Sequence, residues 1–350
     1  MSQYQIITDA CADLPVKLVE ELGVHVIPMS FNFGEESYTH YPDEREYTAK
    51  DFFDRLRNGD MSTTNQINQA EFTDVFESYL QNGVDVLYIG FSSALSGTYH
   101  NSVMVAEELC KKYPEQTLLV ADSLTATLGT GLLVYAAVQK QREGMTIQEL
   151  YQWVQNERLL VSGWFTVDDL HFLKRGGRLS GTAALVGTML GIKPILRITE
   201  DGKLVPMEKV RGRKQSLHIL LEHMEKTFRD TGDQVVFIVH GDCPDDAAYL
   251  KKEIKSRYHI KRIVTNNIGP IIAHRPWRNC YLLYRKGTEL AEFQTERAIA
   301  YSQRPSLFGL YIRFLSSGFL RYKRIIRLEG LKRICKRWLK QNTVATKSSK

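Results

Sequence analysis

Asp85–Tyr99, DVLYIGFSSALSGTY, is the stretch whose reading decides the fold. Its first seven residues, Asp85–Phe91, are a short apolar run of the kind buried as a strand. Small hydroxyl residues follow (Ser92, Ser93, Ser96), then Gly97, which lets a backbone approach closely, and a helix is expected from Thr98. Similar units lie on either side. Tyr4–Thr8 (YQIIT), Val24–Pro28 (VHVIP) and Thr117–Ala121 (TLLVA) read as strands. Val16–Leu22, Ser102–Lys112 and Gly131–Glu143 read as helices between and after them. Strands alternating with helices predict an α/β fold with a parallel sheet covered by helices.

The second half changes character. Gly202–Lys203 reads as a hairpin turn between Ile195–Thr199 and Val205–Val210, and Gln234–His240 (QVVFIVH) as another core strand. A boundary near Asn156 divides the body into two α/β units, 1–155 and 156–290, followed by a basic tail, 291–350. No internal repeat is found.

The chain has 350 residues, of which 43% are apolar and 25% charged, enough for packed cores. No stretch has the roughly 18–20 apolar residues of a membrane span. The first residues, MSQYQIITDACADLP, carry acids where a signal peptide needs bases. Five scattered cysteines include no CxxC pair, so disulfide scaffolds and zinc fingers are not expected. A reduced, cytoplasmic protein is the expectation. The net charge of +6 is unevenly placed: residues 291–350 hold 14 Lys and Arg against 3 Glu, which leaves the body acidic. The total therefore gives no ground for a nucleic-acid-binding body.

Polar residues gather where such folds place ligands, beyond strand ends. Asp9 and Asp13 read either as turn and helix caps or as site residues. Met61–Asn68 (MSTTNQIN) is expected to be a polar loop before a helix carrying Phe72, Phe76 and Tyr79. Thr63, Thr64 or Asn65 would cap that helix or seat an anion at its N-terminus. Ser92–Thr98 resembles an oxyanion cradle, with neither a nucleophile elbow nor a P-loop in the sequence. Asp122–Ser123 follows the next strand as a turn or a site. Leu173–Ser180 (LKRGGRLS) sets Gly176 and Gly177 between Arg175 and Arg178, suited to a carboxylate or phosphate or to a solvated basic turn. Arg211, Arg213 and Lys214 read as a surface cluster. The histidines form no metal-ligand pattern, and no nucleophile–base pair stands out, so binding is favoured over catalysis. The alternative is a phosphate-transferring or phosphate-hydrolysing enzyme using Asp9, Asp122 and the Arg175–Arg178 loop.

Eight segments taken in order resemble the DegV family of bacterial fatty-acid-binding proteins. They are ITDACADLP (Ile7–Pro15), VIPMSF (Val26–Phe31), MSTTNQIN, SSALSGTYHNS (Ser92–Ser102), ADSLTATLGTG (Ala121–Gly131), VDDLHFLKRGGRLSG (Val167–Gly181), GIKPIL (Gly191–Leu196) and NNIGPIIAH (Asn266–His274). The resemblance implies two α/β domains with one long-chain fatty acid in the cleft between them. It implies a carrier rather than an enzyme, with no cofactor and no metal. A separate fatty acid kinase would phosphorylate the presented carboxylate for phospholipid synthesis. The family's carboxylate contacts fall on Thr64 and Ser96, with His274 nearby, and Asn65, Gly97, Thr98, Asp122 and Ser123 lie in the supporting loops. Arg211 is the kinase-docking candidate, with Arg175 and Arg178 beside it. At Asn65 the family more often shows serine.

After His274 the resemblance stops. The family expects Thr-Gly-Pro-Gly and an apolar strand, where this chain has RPWRNCYLLYRKGTEL. One set of codons for His274–Ala291, read from its second base, gives Thr-Gly-Pro-Gly-Glu-Thr-Val-Thr-Phe-Phe-Ile-Gly-Lys-Glu-Arg-Asn and a stop. Trp277 before Arg278 forces a glycine in that frame whatever codons are used. A frameshift just before His274 is therefore expected, with loss of the last strand and an accidental basic tail. The competing reading makes Tyr311–Leu339 a basic amphipathic helix, with Ile325, Leu328, Leu331, Ile334, Cys335 and Leu339 at near-helical spacing, apt for transient contact with an anionic membrane or for nucleic acid.

Overall fold

Four parallel strands, β1 (Tyr4–Asp9), β2 (His25–Ile27), β6 (Asp85–Gly90) and β7 (Leu118–Asp122), make one sheet in the order β2-β1-β6-β7. They belong to a computed structural model that describes residues 4–168, 170, 173, 177–179, 191–273 and 279–287. Val86, Leu87, Tyr88 and Ile89 of β6 are fully buried, as a strand covered on both faces requires. Helices α1 (Val16–Leu22), α3 (Gln69–Leu80), α4 (Thr98–Lys112), α5 (Leu128–Arg142) and α6 (Ile147–Glu157) alternate with these strands. The α/β class read from the sequence is the class observed.

A small antiparallel sheet was not legible. It runs β4 (Glu36–His40), β3 (Met29–Phe33), β5 (Ser62–Thr64), and α2 (Ala49–Arg57) packs Phe52 edge-on against Phe31 beneath it. The stretch expected as the loop Met61–Asn68 thus contains a strand, with Thr64 opposite Phe31. Ser-Thr-Thr has no apolar alternation of its own, and it is held by backbone pairing to β3. The cap of α3 is Asn68, not Thr63, Thr64 or Asn65: its side chain accepts from the Glu71 N–H while the Glu71 carboxylate accepts from the Asn68 N–H.

The second sheet has six strands, in the order β10 (Leu204–Arg211), β9 (Ile192–Ile198), β8 (Val161–Thr166), β13 (Cys280–Arg285), β11 (Val235–His240), β12 (Arg262–Asn267). The β9–β10 hairpin turns at Gly202, as expected. Helices α7 (Arg213–Thr227) and α8 (Pro244–Arg257) cover a second apolar cluster built on Leu220, Met224, Ile238 and Leu250.

The last strand is present, contrary to the expectation of its loss. β13 lies in the middle of this sheet, antiparallel to both β8 and β11. Cys280–Tyr284 are all buried, and Tyr281 stacks on Phe165 with ring centroids 4.4 Å apart. A central strand asks for apolar residues on both faces, and Cys-Tyr-Leu-Leu-Tyr meets that demand as well as Val-Thr-Phe-Phe-Ile in the shifted frame. His274 and the tail 291–350 lie outside the described residues.

Both sheets meet on α5. Its residues Leu128–Tyr135, Ala137 and Val138 are buried on every side, and it packs on β11, β13 and β8 as well as on β1 and β6. One core accordingly runs through both sheets, from Ile6 and Ile89 to Phe165, Phe237 and Leu283. A Cβ at Gly131 would stand 2.9 Å from the Ala12 carbonyl oxygen and 2.9 Å from Leu14. Gly131→Ala would gain about 1 kcal/mol of helix propensity, yet it must push backbone apart. We expect a net loss of about 1–3 kcal/mol in urea unfolding, and an unchanged or raised stability would refute this close approach.

A polar clasp ties the same region together. Asp13, with left-handed backbone (φ 48°), accepts from the Gly269 N–H at 2.9 Å and from the Thr127 hydroxyl, while the Asn266 side chain donates to its carbonyl at 2.8 Å. Burial raises the Asp13 carboxyl to about 7. The folded state therefore keeps a proton that the unfolded chain releases. The stability gained is full below about pH 4 and is lost as the pH rises to about 7. Asp13→Asn keeps an acceptor for Gly269 and removes the titration. Its unfolding free energy relative to the natural chain should rise by roughly 1.4 kcal/mol per pH unit across that window and stay level above it. A pH-independent difference would assign the titration elsewhere.

Candidate functional site

Ser92–Thr98 turns the end of β6 into α4. Ser92 is fully buried, and its hydroxyl donates to the Gly202 carbonyl at 2.9 Å, which fixes the turn to the β9–β10 hairpin. Ser96 is half-buried. Its Oγ accepts from the Thr98 N–H at 3.2 Å and lies 3.0 Å from Thr98 Oγ1. Gly97 caps the fifteen-residue α4, so that the free N–H groups of its first turn open beside Ser96.

The segment around β5 lies against this turn. A Cβ on Gly97 would sit 2.6 Å from Gln66 Oε1, so the close approach foreseen at this glycine is to a side-chain amide. Asn101 of α4 donates to the Ile67 carbonyl at 2.8 Å. Thr64 is half-buried on β5. Asn65 is held on β3, its N–H donating to the Ser30 carbonyl and its side chain to Ser30 Oγ, both at 3.1 Å. Ser30 had no role in the sequence reading. The backbone pairing of β5 to β3 is what brings it in.

Arg178 joins from a third segment, its Nε donating to the Leu95 carbonyl at 3.2 Å, next to Ser96. Three of the predicted polar segments are therefore neighbours. Arg211 stands apart from these contacts, exposed at the end of β10. Arg175 and His274 lie outside the described residues. Arg213, expected on the surface, is largely buried instead. Its Nε donates to Asp246 at 3.0 Å and thereby joins α7 to α8.

The acidic residues serve the backbone. Asp9 is fully buried and accepts from Cys11 N–H at 2.9 Å, Tyr88 OH at 2.6 Å and Phe91 N–H at 3.2 Å. Burial raises its carboxyl, and these three donors oppose the rise. Of the two readings of Asp9, the cap is the one observed. Asp122 Oδ1 accepts from the N–H groups of Ser93 at 3.2 Å and Leu124 at 2.9 Å, again as a turn residue. Ser123 is buried against Thr130, 3.1 Å between their hydroxyl oxygens. Both oxygens of Asp9 and Oδ1 of Asp122 are engaged in this way, which counts against the phosphate-transfer alternative. Among the described residues no group of three or more His, Cys, Asp or Glu could hold a metal ion, and no helix is long and apolar enough to cross a membrane.

A cleft of about 420 Å³, counted to its open mouth, lies beside the clasp and is lined by Asp13, His40, Tyr47 and Asn266–Pro270. Burial lowers the His40 imidazole to about 4, so it is neutral here.

The chain is similar to known proteins in sequence and in fold. A DegV domain-containing protein of Clostridium perfringens is 41% identical over 272 residues, 78% of this chain and 93% of that one. A Thermus thermophilus structure described as fatty acid binding of a DegV family protein is 28% identical, with a TM-score of 0.73 over 81% of this chain and 99% of that one. The fatty acid binding DegV family protein of Streptococcus agalactiae is 26% identical, with a TM-score of 0.71 over 82% of this chain and the whole of that one. Residues 3–279 match the family model described as an uncharacterised protein of the DegV family. The chain belongs to the DegV family.

Proposed function

We propose that this protein binds one long-chain fatty acid and holds its carboxylate at Thr64 and Ser96, with His274 as a third contact. The observation that carries the reading is the apposition of the β5 segment and the Ser92–Thr98 turn, through Gln66 against Gly97 and Asn101 on Ile67. Ser96 Oγ accepts from the Thr98 N–H and lies 3.0 Å from the Thr98 hydroxyl, and when the Thr98 hydroxyl is the donor of that pair the Ser96 hydrogen is left for an outside acceptor. Neutral hydroxyls and the N-terminus of α4 hold an anion without burying a counter-charge beside it. Each methylene removed from water contributes about 0.8 kcal/mol, so the acyl chain supplies affinity and the hydroxyls supply orientation. Bound fatty acid is the ligand described for the Thermus thermophilus and Streptococcus agalactiae relatives.

The finer reading is that of a cytoplasmic carrier without chemistry of its own. It presents the carboxylate to a separate fatty acid kinase, and the acyl phosphate feeds phospholipid synthesis. The exposed Arg211 is the docking candidate, with Arg178 beside Ser96 and Arg175 in the same loop. The two sheets correspond to domains 1–155 and 156–290, with the acyl chain between them. The segment from His274 onward derives from a changed reading frame, and the tail 291–350 is additional to the family fold, with transient membrane contact its one expected activity. Resequencing the gene across codon 274 decides the frame, and an intact frame there would overturn this part.

Native mass spectrometry of the purified chain should show one C14–C18 fatty acid per molecule. Thr64→Val and Ser96→Ala should each weaken retention at least about tenfold with little change in Tm. A folded natural chain that takes up no fatty acid, or variants that bind as well as it does, would refute the assigned site. Turnover of ATP by the chain alone would favour the enzymatic alternative.

A further inference from the structure

A second cleft lies away from Thr64 and Ser96, and neither residue lines it. It is about 340 Å³ to its open mouth and is built from five places in the chain. Leu124 comes from the turn after β7, Arg158 from the turn after α6, Trp164 from β8, Arg197 and Glu200 from the end of β9, and Lys286 from just beyond β13. Among its described lining residues three are cations and one is a carboxylate. Arg285, next to Lys286, is already matched by Glu157, with Nε to Oε1 at 2.6 Å.

Glu200 serves two cations at once. Its Oε2 lies 3.0 Å from Arg197 Nη2, and its Oε1 lies 3.5 Å from Arg197 Nη1 and 3.4 Å from Lys286 Nζ. Arg158 pairs with no carboxylate among the described residues, and its Nη1 donates to the Asp122 carbonyl at 2.8 Å. The Nε atoms of Arg158 and of Arg197 are both buried with no hydrogen-bond partner among the described residues. Lys286 is only 9% exposed, and its backbone N–H is fixed by the Leu160 carbonyl at 2.8 Å. Buried guanidinium donors without acceptors, in a cleft whose described lining residues hold two more cations than anions, are a costly arrangement unless an anion enters. Burial lowers the Lys286 ammonium as well, and a nearby anion would restore it.

We propose that this cleft binds a small phosphate-class oxyanion, either inorganic phosphate or the phosphate group of a monoester, between Arg158, Arg197 and Lys286. A dianion matches the two excess charges. Four oxygens around one phosphorus can accept from donors that converge from different strands, which a planar carboxylate does less well. The polar lining and the open mouth leave room for a substituent but do not suit an acyl chain, so the site is distinct from the one proposed at Thr64 and Ser96.

The test is isothermal titration of the full chain with inorganic phosphate and, separately, methyl phosphate, against sodium chloride at matched ionic strength. One saturable phosphate site per chain is expected. Tighter or equal binding of methyl phosphate would assign the site to monoesters, and weaker binding to free phosphate. Arg197→Gln should weaken binding at least about tenfold. Glu200→Gln removes the competing carboxylate and should tighten it several-fold, a gain that no folding defect can mimic. Absence of a saturable phosphate signal in the natural chain, or a Glu200→Gln variant that binds no tighter, would overturn the proposal.

Discussion

The burial of α5 between two sheets is the constraint on which the rest of the structure depends. A helix against one sheet needs one apolar stripe, whereas α5 has Leu128, Leu132, Leu133, Val134, Ala137 and Val138 buried around its circumference. Such a helix has no solvent face to give up. Its apolar surface is covered only when β1 and β6 lie on one side and β8, β11 and β13 on the other. Small residues make the contact close: Gly131 runs beside the Ala12 backbone, and Thr127 reaches Asp13. The two sheets therefore share one core, and the loops that each projects keep a fixed relation to the other.

Those loops carry the polar chemistry, and they are held by backbone hydrogen bonds more than by ion pairs. Ser92 on Gly202, Asn101 on Ile67, Asn65 on Ser30, Arg178 on Leu95 and Asn266 on Asp13 are all of this kind. All but Arg178 fix their loops through uncharged groups. They leave Ser96 as a neutral hydroxyl beside the N-terminus of α4, the setting that the proposed carboxylate site with Thr64 would use. The cleft at Arg158, Arg197 and Lys286 has the opposite design: among the described residues cations are in excess, and the Nε atoms of Arg158 and Arg197 are buried without a partner. The two proposed sites would thus use two anion chemistries, one suited to a lipid head and one to a hydrophilic oxyanion.

The strand Cys280–Arg285 shows how tolerant a central strand can be. Flanked by β8 and β11 and covered on both faces, it asks for length and apolarity more than for particular side chains. The aromatic pair Tyr281–Phe165 and the bond of Tyr284 OH to Thr227 Oγ1, 2.7 Å, fill the available space. A segment that the sequence reading sets apart from the family pattern can in this way still complete the sheet.

By itself the sequence determined the α/β class and the strands that carry continuous apolar runs, because burial on both faces writes that pattern directly into the residues. Asp85–Phe91 and Gln234–His240 are of this type. It also marked the hydroxyl-rich ends of those strands, since few residue types suit a turn into a helix N-terminus. What the tertiary structure alone decided is partnership. Ser-Thr-Thr at 62–64 became a strand because β3 offered it backbone partners, and Asp9 became a saturated cap because β6 brought Tyr88 and Phe91 to it. Arg213 turned inward to Asp246 because α8 was there to receive it. Arg158, Arg197 and Lys286 lie far apart in the chain, and no local spacing links them. Only the packing of sheets on α5 brings them to one cleft, since long-range contacts leave no periodic signal in the residues that make them.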